Sequence, residues 1–328
     1  MENEKRSHIC LLDLPESHLD CVLKHLSPQE LCIMSEACSV LRKRCSGDDL
    51  WEEHIKRKWG PVIGEVVYNE WKWHIASAKE DNTLRIYQNG SLGTFSGDWP
   101  FLSLGSYLDD SEMLRGSLSN YFMKSLYFSV ESGKFWFPAQ IYRANRFLCC
   151  HHGLLSYDSE TDSFQARKQS GGWELIGKSI GWDKVRATPV ETPPNALHVS
   201  HLSNLKPGDH IEIQFRTSRQ TFYDWWHATI EHLETCNEHG NHCGCDQSEV
   251  VVVEFKQYSP VVSQMRRLVL TKNNYQEHDD GMGRLFGGIR KIHSQQQIDT
   301  WKSLFAQPYL RTYHNLLEFD PSLFISAT

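Results

Sequence analysis

Three helix starts crowd into residues 11–59, and they constrain the fold of this chain more than any other feature. The run LLDLPESHLDCVLKHL places Pro15 in a first helical turn, where its missing N–H has no bond to lose, and aligns Leu19, Val22, Leu23 and Leu26 on one stripe. Ser27-Pro28-Gln29-Glu30 combines an N-cap serine, an N1 proline and an N3 glutamate that can reach back to the cap. A second helix therefore opens there and carries Leu31, Ile33 and Met34. After a bridging segment from Cys38 to Cys45, Gly47-Asp48-Asp49 ends one helix, and Asp49 with Glu52 reads as a further capping box ahead of Trp51, Ile55 and Trp59. So small a unit cannot bury this many apolar side chains alone, because the buried fraction of a chain's surface falls with its size. The excess points to a second polypeptide that stabilises the unit by covering it.

The same residues resemble the F-box, the docking module of Skp–cullin–F-box ubiquitin ligases. The likeness rests on Leu14-Pro15, the SPQEL opening of the second helix, the Cys/Leu/Arg-rich third segment and Leu50-Trp51. The spacing LCxMxxxCxxLRxRC, then DxLWExHxKxKWG, is that of the plant type. Here it is Leu31, Cys32, Met34, Cys38, Leu41, Arg42, Arg44 and Cys45, then Asp48 or Asp49, Leu50, Trp51, Glu52, His54, Lys56, Lys58, Trp59 and Gly60. Glu36 departs from the broader pattern, which is commonly apolar at that place. By this resemblance the uncovered face belongs to a Skp-type adaptor. Leu14, Pro15, Leu19, Val22, Leu26, Leu31 and Trp51 are then shared between the adaptor interface and the unit's own core, with the division left open. The resemblance implies a non-catalytic substrate-receptor subunit that joins a cullin through its adaptor and tethers an unknown protein target for ubiquitination. A scaffold working outside ubiquitin transfer is the alternative, as is a reader of modified protein tails.

A chain of 328 residues is expected to hold about two domains. We place the F-box at residues 9–60, a helical extension at 61–80 and a β-rich, target-binding domain at 81–328. The net charge of −7 argues against a nucleic acid partner, which needs a basic footprint. Arg42, Lys43, Arg44, Lys56, Arg57 and Lys58 form a local basic set that reads as a solvated helix face. No apolar run approaches the roughly twenty residues of a membrane span, and no apolar stretch follows the charged MENEKRSH, so neither a membrane nor a secretory route is expected. The expected location is the nucleus and/or cytoplasm, where the ten cysteines serve as packing thiols or metal ligands.

Beyond the F-box, residues 65–79 predict a helix with Val66, Trp73 and Ala76 among its buried positions, and residues 81–106 read as a loop-rich passage. Strands are expected at 126–130, 135–142, 147–150, 153–157 and 164–167, with Gly133-Lys134 and residues 157–162 as turns. SVESGKFWFPAQIY and LSYDSETDSFQARK also resemble the C-terminal region of the same plant F-box subfamily. A Thr/Pro-rich joint at 187–195 precedes a PGD turn, an alternating strand at 210–216, an aromatic strand at 224–230 and a valine strand at 250–255. That order is similar to Tudor-like small barrels, in which Trp225 or Trp226 would form part of an aromatic cage for a cationic ligand. Ser294 to Gln297 caps a helix near the C-terminus. The fold class is α+β.

For chemistry, the densest donor cluster is Cys236, His239, His242, Cys243 and Cys245, spaced so that a loop bent at Gly240 and Gly244 could close on a tetrahedral metal. An exposed His/Cys-rich hairpin is the other reading. No cofactor is expected unless this loop holds a structural zinc. In Cys149-Cys150-His151-His152 only alternate residues share a strand face, so core packing is expected there. Gly281, Gly283, Gly287 and Gly288 lack a phosphate-loop pattern and read as loop glycines. The chain shows no nucleophile elbow, HExxH or kinase signature.

Overall fold

The computed structural model describes residues 11–81, 122–190 without 145–147 and 170–172, and 192–305 without 193, 200–201, 234–235, 237–244, 246–247, 257–265, 273–275 and 282. The passage at 81–106 and part of the Cys/His loop thus lie largely outside the described residues.

Local capping builds the helical end. Helix α1 (Glu16–Lys24) starts after Pro15, and α2 (Pro28–Ala37) starts on Ser27. Glu30 N–H donates to Ser27 Oγ at 3.3 Å, and Ser27 N–H donates to Glu30 Oε2 at 2.7 Å, so both halves of the box form. The bridging segment is itself a helix, α3 (Ser39–Cys45), capped by a thiol: Leu41 N–H donates to Cys38 Sγ at 3.4 Å. Helix α4 (Asp48–Asp81) begins after Gly47 rather than on an Asp49–Glu52 box. Asp48 instead accepts from Met123 N–H at 2.9 Å, and Glu52 pairs with Lys56.

Gly64 breaks α4 with φ 75°, a conformation that only glycine adopts without strain. The break releases the Pro61 carbonyl, which accepts from Ala187 N–H at 3.2 Å. The expected helix at 65–79 follows the break; the side chains of Val66, Trp73 and Ala76 lie outside the described residues.

The strand expected at 126–130 is a helix, α5 (Phe122–Glu131). Met123, Leu126, Tyr127 and Val130 recur at helical spacing and are all buried. Strand β1 (Trp136–Ala144) follows the Gly133 turn, and the segments 147–150 and 153–157 merge into one long β2 (Leu148–Asp158). Then come β3 (Ser163–Gln169), β4 (Trp173–Ile180), β5 (Val185–Arg186), β6 (His210–Arg216), β7 (Asp224–Glu231), β8 (Val250–Glu254), β9 (Arg267–Thr271), β10 (His278–Asp279) and β11 (Leu285–Lys291). The described strands form one antiparallel sheet, β10-β11-β6-β7-β2-β1-β5, with β3 and β4 continuing from β2, and β8 and β9 from β7. Helix α6 (Gln295–Phe305) closes the described fold; Gln297 N–H donates to Ser294 Oγ at 3.4 Å, while the Gln297 side chain accepts from Arg290.

Three apolar cores result. The first runs from Leu19 through Trp51 and Trp59 to Phe137, Phe164 and Val185, crossing the boundaries at 60 and 80 drawn from the sequence. The second lies on one face of β7 around Trp226, and the third on the other face around Trp225 and Trp301.

Gly287 and Gly288 are strand residues, not loop glycines: they sit in β11, where the pairing with β6 shifts between Phe286 and Ile289. A Cβ on Gly288 would lie 2.0 Å from the His198 carbonyl oxygen, closer than any real contact. Its N–H donates to Gln214 Oε1 at 2.8 Å, and His198 N–H shares that acceptor. Gly288→Ala should therefore destabilise the fold by about 2–3 kcal/mol as the 198 segment is pushed off the sheet. Urea unfolding checks this; a midpoint equal to wild type would show that the segment yields without cost.

Candidate functional site

The seven residues expected to meet an adaptor separate by burial. Leu19, Leu31 and Trp51 are buried within the chain's own first core. Leu14 and Leu26 are half-buried, while Pro15 and Val22 are exposed. Burial follows helical phase: on α1 Leu19 and Leu23 point inward and Val22 outward, and on α2 Leu31 points inward while Ile33 is 70% exposed. Val40 on α3 and Leu12 in the turn Leu11–Asp13 are also exposed, so four of the eight large apolar side chains exposed among the described residues belong to this end. Leu12, Ile33 and Val40 were missed in the sequence. Their signal was present in the helical phase, but an outward-facing apolar residue resembles a core residue until the helices are packed.

Solvent-exposed ion pairs also link these helices, each contributing modestly. Arg44 on α3 pairs with Glu16 and with Asp20 of α1, the latter at 2.9 Å, and Lys24 of α1 pairs with Glu53 of α4 at 3.1 Å. Lys58 reaches Glu131 of α5 at 2.6 Å. Much of the basic set is thus committed within the chain, leaving Arg42, Lys43 and Arg57 exposed.

The aromatic strand offers no cage. Trp225 and Trp226 point to opposite faces of β7 and both are buried, because both faces of this strand are covered. Trp226 stacks on Phe215 at 3.8 Å between ring centres, and Trp225 Nε1–H donates to His152 Nε2 at 3.2 Å. Neither ring is presented to a ligand, which corrects the expectation of a cationic-tail reader built on them.

Strand alternation also sorts the Cys149–His152 run. Cys149 Sγ lies 3.1 Å from His151 Nε2, and His151 Nδ1 lies 2.8 Å from Asp224 Oδ2. The order thiol, imidazole, carboxylate is that of an activated nucleophile. Yet the thiol packs in the second apolar core, so the arrangement reads as a satisfied core network. On the other face burial pushes the Cys150 thiol up to about 12, which keeps it protonated.

In the connection from β7 to β8, His232, Cys236 and Cys245 place their donor atoms within 4.8 Å of one another. Cys245 Sγ accepts from Leu233 N–H at 3.4 Å and lies 3.7 Å from His232 Nδ1. Of the donors expected from sequence, Cys236 and Cys245 are brought together; His239, His242 and Cys243 lie outside the described residues. His232 was missed because it follows directly on strand β7, four residues ahead of the Cys-rich stretch.

Among the described residues no helix is long and apolar enough to cross a membrane. Residues 11–53 match the F-box domain. Two Arabidopsis thaliana proteins are similar to the chain over most of its length. F-box protein At2g26850 is 39% identical over 311 residues, covering 92% of this chain and 83% of the relative. F-box protein At2g41170 is 36% identical over 324 residues, covering 94% and 86% respectively.

Proposed function

The chain belongs to the F-box protein family, in its plant form, and from that premise we propose that it is the substrate-receptor subunit of a Skp–cullin–F-box ubiquitin ligase. F-box domains in general bind Skp-type adaptors, and F-box proteins are in general non-catalytic. Here the segment 9–60 docks the adaptor and through it the cullin, 61–80 braces it, and 81–328 holds a protein target in the nucleus and/or cytoplasm. Tethering contributes by raising the target's effective concentration near the ubiquitin carrier, while other subunits perform the bond chemistry. No residue of this chain then needs to react.

The observation that carries the reading is the exposure of the apolar side chains Leu12, Val22, Ile33 and Val40, and of Pro15, in a segment whose Leu19, Leu23, Leu31 and Leu41 are already buried. A side chain as exposed as Ile33 contributes little to the isolated fold. Ile33→Glu together with Val22→Glu should change unfolding free energy by no more than about 0.5 kcal/mol yet weaken adaptor binding by about tenfold or more. Calorimetric titration with a Skp-type adaptor measures this, and wild-type affinity in the double variant would remove this face from the interface. A Leu14→Ala, Pro15→Ala variant should likewise lose the adaptor while retaining target proteins in affinity capture. A reconstituted ligase that ubiquitinates the captured target equally well without this chain would leave only the scaffold role.

A further inference from the structure

We propose that His232, Cys236 and Cys245 bind one zinc(II) ion that clips the connection between β7 and β8. The three come from the two ends of that connection: His232 directly follows Glu231 of β7, and Cys245 lies just ahead of Val250 of β8. Ligands so placed close a long loop at its base, where a cross-link removes most chain entropy.

The donor chemistry selects the metal. Two sulfurs and one imidazole nitrogen fill three corners of a tetrahedral zinc site, with water as the fourth ligand, whereas calcium and magnesium require oxygen donors. Zinc bonds of about 2.3 Å to sulfur and about 2.0–2.1 Å to nitrogen set a tetrahedral N···S edge of about 3.6 Å. The His232 Nδ1 to Cys245 Sγ distance is 3.7 Å, and all three donor atoms fall within 4.8 Å. Small rotations of half-buried Cys236 and His232 therefore complete the triangle, while buried Cys245 is the fixed corner. The Leu233 N–H donates to the Cys245 sulfur at 3.4 Å and so helps to fix its place at the base of the connection. Lys272 Nζ donates to the Cys245 carbonyl at 3.4 Å and ties that corner to the segment after β9.

The inference is independent of the ligase role and is tested on the full chain, purified under reducing conditions with zinc in the growth medium and dialysed against metal-free buffer. Elemental analysis should find about one zinc per chain in wild type. In His232→Ala and in Cys236→Ser the retained zinc should fall more than about tenfold, whereas Cys21→Ser on α1 should keep it. Circular dichroism verifies that each variant is folded. Should either variant fail to fold, cobalt(II) added to the metal-depleted wild-type chain gives a second reading. The expected spectrum has the strong visible bands of tetrahedral cobalt and a thiolate charge-transfer band. Three results overturn the proposal: a wild-type chain that retains no zinc and gives only the weak bands of octahedral cobalt, zinc retained at wild-type level in both variants, or a Cys236–Cys245 disulfide that accounts for the cluster.

Discussion

Trp51→Ala is expected to lower the unfolding free energy by about 4 kcal/mol, the middle of the range for removing a large buried aromatic ring. The residue stands in the F-box signature and was a candidate for the adaptor interface, yet the packing gives it another task. It is fully buried, with its ring 5.1 Å from Tyr127, 5.3 Å from Phe128 and 5.8 Å from His54. Its indole N–H donates to the Cys45 carbonyl at 2.7 Å in a buried bond, so truncation also strands that carbonyl. Tyr127 and Phe128 belong to α5, which enters the sheet half of the molecule through Phe135 and β1. The loss should therefore spread beyond the helical end. Urea unfolding followed by far-ultraviolet circular dichroism should show one transition shifted to lower denaturant, with the sheet and the helices melting together. Trp51→Phe should lose about half as much, because it keeps most of the packing and only forfeits the N–H. A Trp51→Ala chain that unfolds at the wild-type midpoint but no longer holds the adaptor would return this ring to the interface.

What could be read from the sequence follows the range of the interaction concerned. The Ser27–Glu30 box is written in four consecutive residues, and both of its hydrogen bonds form. The strands at 210–216 and 224–231 were legible because turns bracket them and their alternation or aromatic content suits a sheet. Helix α5 was not, since Leu126 to Val130 viewed as a short apolar run lacks the flanking Met123 that reveals its spacing. Helical phase alone could not say whether Val22 or Leu23 faces the core, because both are branched aliphatics and only the packing of α1 against the other helices separates them. Trp225 and Trp226 misled for a related reason: alternation implies one covered face only where the other face meets water, and here α6 covers the second. His232 shows the same limit at the metal cluster, where proximity is set by the ends of two strands rather than by spacing along the chain.

Glu212→Ala should cost about 3–5 kcal/mol, as expected when one partner of a buried ion pair is removed and the other is left uncompensated. Glu212 on β6 is fully buried. Arg186 of β5 grips it with two hydrogen bonds of 2.6 and 3.0 Å, Arg290 of β11 adds one of 2.8 Å, and Trp301 Nε1–H of α6 adds one of 2.6 Å. One carboxylate thus ties three strands to the last described helix. Burial by itself would push the carboxyl up, but the Arg186 and Arg290 charges and the hydrogen bonds from Arg186 and Trp301 outweigh it and hold the group down to about 2. Since the unfolded carboxyl titrates near the ordinary value of 4.5, the folded state binds this proton less readily. Its contribution, on the order of 3 kcal/mol, is complete above about pH 5 and drains away as the pH falls toward 2. His227, on the neighbouring strand, adds an earlier loss of the same sign. Burial, and then His210 beside it, lowers its ring to about 4, so protonation favours the unfolded chain from about pH 6.5 downward. Unfolding free energy measured against pH should therefore decline in two overlapping stages in wild type. In Glu212→Ala the stage below pH 5 should become shallower, while the stage between about 6.5 and 4 persists. Glu254 supplies what remains below pH 5: burial pushes its carboxyl up, but its partners Glu231, Lys256 and Arg266 hold it down to about 2. An unchanged acid limb in that variant would show that the carboxylate is not held in its charged form, and the network would then have to be described with a shared proton.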